Sequence, residues 1–166
     1  MIQTILFDFD GTLFDTGEGI LRSVQYALEG FGIHETDTAR LRKFVGPPLF
    51  DSFSELYAMT PEQAQAAVAR YRERYLPVGI YECTLYPGIP ELLEQLRAHG
   101  FRVAVATGKP TPMACSILQR FDLERLFDCV IGCEYDGTRS TKAEVVAAAL
   151  AETHTPPAVS YTHLRA

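Results

Sequence analysis

The chain has 166 residues, 47% of them apolar and 22% charged, with a formal charge of -6. This length holds one domain, or a core with a small insertion, and the composition excludes a disordered chain. The 15 Lys and Arg residues form no basic stripe, no apolar run reaches membrane-spanning length and Met1 leads straight into an apolar segment, so neither a nucleic-acid polymer nor a membrane is an expected partner, and the expected compartment is the cytoplasm.

The first predicted element is a strand. Ile5, Leu6 and Phe7 make the apolar run of a central parallel strand covered on both faces. Asp8 and Asp10 follow it two residues apart, and Gly11 lets the chain leave sharply. In extended backbone residues i and i+2 point to one side. A strand running through both acids would therefore converge two carboxylates on one reacting centre, at the sheet edge where open α/β folds bind ligands. Asp and Gly also suit a solvated turn, but the aromatic Phe9 between the acids favours packed backbone.

From Glu18 to Leu76 helix follows helix. Ile20, Leu21, Val24 and Leu28 repeat at helical spacing until Gly30. Leu41, Phe44 and Val45 predict a short helix ending at Gly46-Pro47-Pro48, with another over Leu49 to Tyr57. Thr60, Pro61 and Gln63 supply an N-cap, a first-turn proline and a capping-box partner for a helix reaching about Leu76. Pro77 to Tyr86 reads as a returning linker.

Strands and helices then alternate, the mark of a parallel α/β sheet. Ile89, Leu92, Leu93 and Leu96 define an amphipathic helix closed by Gly100. Val103 to Ala106 is the next strand, Thr111-Pro112 starts a helix containing Ile117, Leu118 and Phe121, and Cys129 to Gly132 is a short strand. Thr141 caps a helix from Lys142 to about Glu152, with Val145, Val146, Ala149 and Leu150 facing inward. Thr107 and Gly108 offer a hydroxyl and an unhindered amide at the same sheet edge as Asp8, although a Thr-Gly pair is also an ordinary turn. Lys142 opens a helix, where its charge opposes the helix dipole, so either water or a neighbouring anion must offset it. The four cysteines, Cys83, Cys115, Cys129 and Cys133, follow no zinc spacing and read as buried free thiols, and the four histidines form no ligand pair at helical spacing.

Asp8-Phe9-Asp10-Gly11-Thr12-Leu13-Phe14-Asp15-Thr16 resembles the first motif of the haloacid dehalogenase-like (HAD) phosphohydrolases. Val105-Ala106-Thr107-Gly108-Lys109-Pro110 resembles their second motif, and Lys142 their third. The resemblance implies an α/β fold: a Rossmann-like core with a parallel sheet over residues 1–16 and 80–159, and an inserted all-helical cap over 17–79. It also implies a chemistry. Asp8 would attack phosphorus to give an aspartyl phosphate, while Asp10 would protonate the leaving oxygen and later activate water. Thr107 and Gly108 would hold the phosphate, and Lys142 would neutralise it together with Asp8. Two unit charges ~4 Å apart repel by roughly 4 kcal/mol at an effective dielectric near 20, more than one lysine offsets against a phosphate dianion. The implied cofactor is accordingly Mg2+, held by Asp8, by Asp10 through its backbone carbonyl, and by an acid from a fourth motif.

That fourth motif is not found. Ala158-Val159 resembles the start of its strand, but Ser160-Tyr161-Thr162-His163-Leu164-Arg165-Ala166 follows. Residues 160–166 read as a tail foreign to the fold, resembling translated linker sequence, and the resemblance then covers Met1 to about Val159, roughly three quarters of a full member. The expected consequence is weak Mg2+ binding and impaired turnover, with His163 or Glu152 poor substitutes as ligands.

Substrate choice falls to the cap. Val45 to Phe53, Leu85 to Ile89 and Asp136 to Lys142 resemble the 5′-nucleotidase branch of the phosphoglycolate phosphatase group. A nucleoside 5′-monophosphate is the favoured substrate, phosphoglycolate or another small phosphomonoester the next. Gly46 and Pro47 in the cap loop, with Lys109 and Arg139, are further candidates for substrate contact, although the first pair also suits a plain helix break and the second plain surface charges. A sugar-phosphate mutase, which would require a bisphosphate, and an inactive fragment are the alternatives. A receiver-type signalling module does not suit a helical insertion of this size.

Overall fold

A computed structural model describes residues 2–134, 138–156 and 160–163, the last four by their backbone. The chain divides into two compact units, Met1–Phe14 with Leu85–Ala166, and Asp15–Thr84.

The first unit is built on a parallel sheet. Strands β1 (Thr4–Phe7), β4 (Arg102–Pro110), β5 (Cys129–Cys133) and β6 (Ser160–His163) lie in the order β5-β4-β1-β6. Two short strands between β1 and β4 in sequence, β2 (Phe14–Asp15) and β3 (Thr84–Leu85), pair in a separate two-stranded sheet. Residues Thr4 to Phe7 pair with Arg102 to Val105 on one side and with Ser160 to His163 on the other. The chain therefore builds outward from β1 in one direction through β4 and β5, then returns to its other side. Such a reversal in strand order opens a crevice at the carboxyl edge.

Helices cover the sheet as its residue alternation requires. Ala104 and Ala106 of β4 share a buried cluster with Leu6, Val145, Ala149 and Leu150, the last three from α7 (Lys142–Glu152). Val103 and Val105, also buried, fall on the opposite face by the two-residue period of a strand. Helices α5 (Ile89–Ala98) and α6 (Thr111–Arg120) contribute buried Leu93, Met113, Ala114, Ile117 and Leu118 to this unit. Thr141 caps α7 as expected, and the cap is a full capping box, Thr141 Oγ1 accepting from the Glu144 N–H and Glu144 from the Thr141 N–H.

The second unit is helical. It comprises α1 (Gly17–Glu29), α2 (Thr38–Leu41) continued by a 3-10 turn at Arg42–Phe44, α3 (Leu49–Tyr57) and α4 (Pro61–Tyr75). Thr60 and Gln63 form the reciprocal cap foreseen for α4. Val24, Leu28, Leu41, Phe44, Phe53, Ala64 and Ala67 are buried, with the Phe44 and Phe53 rings edge to face at 4.9 Å.

Several expectations are corrected. β1 ends at Phe7, so no strand runs through Asp8 and Asp10. β4 continues to Pro110 instead of stopping at Ala106, with an irregular register past Ala106. Leu92 is 40% exposed, leaving Leu93 to bury the face of α5. The four cysteines are free but only partly buried. Ser160 to His163 pair with β1 through their backbone, which needs only extended residues and not a particular side chain. Asp136, Gly137, Ala158, Val159 and residues 164–166 lie outside the described residues.

Candidate active site

Every candidate in the first unit stands at the carboxyl edge of the sheet or at the helix that follows it. Asp8 comes directly after the last paired residue of β1. Its Oδ1 accepts the Phe9 N–H at 2.8 Å, and its Oδ2 accepts from Lys142 Nζ at 2.9 Å. The acid is nearly buried while the lysine side chain is 43% exposed. This pairing offsets the unfavourable place of a cation at a helix start.

A tight loop, not a strand, presents Asp10. The Phe9 carbonyl accepts the N–H groups of Thr12, Leu13 and Phe14, and the Gly11 N–H donates to the Phe14 carbonyl at 2.7 Å. Gly11 makes the reversal at φ +75°, a conformation open to glycine at little cost. Phe9 anchors the loop by stacking on Phe14, ring centroids 4.8 Å apart. Backbone bonds and an aromatic contact thereby do the orienting that strand alternation was expected to do.

Thr107 and Lys109 come from the extended end of β4. Thr107 is 2% exposed, and its Oγ1 accepts the Lys109 N–H at 3.1 Å, so the hydroxyl proton remains to donate. Gly108 between them is exposed. Lys109 was expected to be a surface charge or a substrate contact. Instead its side chain is 5% exposed and its Nζ lies 3.2 Å from Asp10 Oδ1. The signal was in the sequence: Thr107 and Lys109 are two apart, and a strand carried past Ala106 puts both on one face.

Arg139 donates from Nε to the Gly132 carbonyl at 3.2 Å and pairs with the Glu134 carboxylate, which ties it to the end of β5. Gly46 and Pro47 are exposed residues of the second unit. Gly132 is a supporting residue that sequence reading passed over. A Cβ there would lie 2.1 Å from the Lys109 carbonyl oxygen, so only glycine lets β5 approach this part of β4.

The site so assembled holds two carboxylates and two ammonium groups, each acid paired with a cation from another element. Among the described residues no group of three His, Cys, Asp or Glu side chains could cage a metal. Magnesium does not require one, since it is commonly held by one or two carboxylates with water and substrate phosphate completing the shell. The oxygen donors of Asp8 and Asp10 fit that requirement. Cysteine chemistry finds no support here, because burial pushes the Cys129 thiol up to about 11 and raises those of Cys115 and Cys133.

The chain is similar to several known proteins. A 5′-nucleotidase of Pseudomonas aeruginosa is 49% identical over 142 residues, covering 86% of this chain and 64% of that protein. The tyrosine-protein kinase PtkA of Mycobacterium tuberculosis is 39% identical over 151 residues, covering 90% of this chain and 51% of its own. The chain thus spans less than two thirds of the length of these relatives. A crystal structure of a predicted phosphatase from Clostridium acetobutylicum superposes with a TM-score of 0.91 at 40% identity, over 98% of this chain and 75% of that one. No helix among the described residues is long and apolar enough to cross a membrane. The family description "Haloacid dehalogenase-like hydrolase" matches residues 5–161, and with the paired acids at its sheet edge the chain belongs to that family.

Proposed function

We propose that this site hydrolyses a small phosphomonoester by way of a phosphorylated Asp8. The observation that carries the reading is the Lys142–Asp8 pair, a nearly buried carboxylate held at 2.9 Å by a lysine whose side chain is 43% exposed. An Asp8 oxygen attacks phosphorus as the bond from phosphorus to the ester oxygen breaks, and Asp10 passes a proton to the departing oxygen. Asp10 then takes a proton from water. The water oxygen attacks phosphorus, the bond to Asp8 breaks, and inorganic phosphate leaves with both acids restored. Thr107 and the Gly108 amide donate to the phosphate oxygens, and Lys142 offsets the charge gathered between Asp8 and the phosphate.

Asp8, and Asp10 through its backbone carbonyl, would hold Mg2+, which would supply Lewis-acid polarisation when bound. A nucleoside 5′-monophosphate is the substrate favoured, on the likeness to the Pseudomonas aeruginosa protein and on the resemblance carried by the Val45 to Phe53 segment. Residues 1–16 and 80–159 serve as the catalytic core and 17–79 as the cap, whose Gly46 and Pro47 are candidates for substrate choice.

Phosphate release from a panel of nucleoside 5′-monophosphates and phosphoglycolate, with Mg2+ and with a chelator, tests this. Turnover by the wild-type chain is expected to be slow but to prefer a nucleotide and to require the metal, and D8N to lose about 10³-fold or more of that kcat. Hydrolysis by D8N at the wild-type rate would overturn it.

A further inference from the structure

Lys109 is far better buried than Lys142: their side chains are 5% and 43% exposed. An ammonium is expensive to take out of water and stays buried only where paired and solvated by the protein. Lys109 meets both conditions at the acid loop. Its Nζ lies 3.2 Å from Asp10 Oδ1 and 5.8 Å from the centroid of the Phe9 ring, within the range at which an aromatic face attracts a cation. The backbone beneath it is fixed from two sides. Its N–H is bonded to Thr107 Oγ1 at 3.1 Å, and Gly132 lies so close to its carbonyl that no Cβ would fit. The two lysines thus take different stations: Lys142 on Asp8 and open to solvent, Lys109 on Asp10 and closed off from it.

We propose that Lys109 is a positioning residue for Asp10, holding the carboxylate in the orientation from which it exchanges a proton with the leaving oxygen, while phosphate binding falls to Thr107, Gly108 and Lys142. The proposal rests on the phosphatase reading above and deepens it. It makes leaving groups the discriminating variable, because a nitrophenolate departs without protonation whereas a sugar alkoxide needs its proton.

The test compares wild type, K109M and K109R on a nucleoside 5′-monophosphate and on p-nitrophenyl phosphate, with inorganic phosphate as competitive inhibitor. For K109M, kcat/KM on the nucleotide falls about 100-fold, the scale of general acid catalysis, while kcat/KM on the nitrophenyl ester falls less than about 5-fold and the phosphate inhibition constant moves less than about 2-fold; kcat/KM is the quantity compared because it stops at departure of the leaving group, before the hydrolysis in which Asp10 serves both esters alike. K109R, which keeps the charge, recovers most of the nucleotide activity. Equal or reversed losses in kcat/KM on the two esters, or phosphate inhibition weakening in step with them, would overturn the proposal. Should K109M fail to fold, K109Q replaces it in the same comparison, with the same outcomes decisive. Wild-type chain that releases phosphate from neither ester overturns the phosphatase reading itself and this proposal with it. Turnover by wild type with parallel losses in the variant overturns the Lys109 role alone.

Discussion

At the scale of single residues, the two ion pairs of the site carry different energetic consequences. Losing one member of a buried pair costs roughly 3–5 kcal/mol, but an exposed partner is replaced by water at a cost of only about 0–1 kcal/mol. Lys142 belongs nearer the second case: its side chain is 43% exposed, and Asp8 keeps the Phe9 N–H on its other oxygen. K142M is therefore expected to change the stability measured by urea unfolding by less than ~1 kcal/mol while lowering phosphate release by about 100-fold or more. A parallel loss of stability and activity would reassign Lys142 to structure. Asp10 also illustrates this scale, because its direction is set by a loop whose hydrogen bonds converge on one carbonyl, that of Phe9.

Elements matter where they touch. β4 and β5 run parallel from Ala104 opposite Cys129 to Ala106 opposite Ile131, and their register shifts before Pro110 meets Cys133. At that irregularity Gly132 donates its N–H to Thr111 Oγ1 at 3.0 Å and lies flush against the Lys109 carbonyl. G132A forces two backbones apart, and overpacking of this kind costs about 1–3 kcal/mol. The expected result is a lower urea midpoint with an unchanged slope; an unchanged midpoint would mean that the strands separate freely.

On the scale of the whole molecule, pH acts on groups in each unit separately. In the helical unit, Glu82 receives both Arg74 guanidinium nitrogens, at 2.8 and 3.0 Å, and Arg22 Nη1 at 2.9 Å. These bonds, Arg74 first, hold its carboxyl below its ordinary value of 4.5. A depressed acid stabilises the fold above its unfolded pKa and ceases to do so as pH falls through the folded one. In the sheet unit, burial raises the Cys129 thiol from 9.0 to about 11. The sign reverses there: the contribution is complete below pH 9.0 and is lost as pH climbs towards 11. Stability followed against pH should form a plateau from above 4.5 to 9.0. E82Q is expected to lower the plateau by about 1.5–3 kcal/mol, the worth of hydrogen bonds to charged groups, and to flatten the acid limb. An acid limb unaltered in E82Q would assign it to other carboxylates.

Local chemistry written in neighbouring letters was legible without coordinates. The caps at Thr60 and Thr141, the bounds of α3 and the helical stretch from residue 17 to 75 follow from i to i+4 patterns and side-chain caps, interactions that close within one turn of chain. The acids and Lys142 were legible as chemistry for a related reason: the residue types and their spacing carry it. Partnership was not. That Lys109 meets Asp10 across 99 positions, that Gly132 must lack a side chain, and that Ser160 to His163 can occupy a sheet edge are decided by which backbones lie side by side. Contacts between distant segments depend on register and burial, and neither is encoded by any short stretch of sequence on its own.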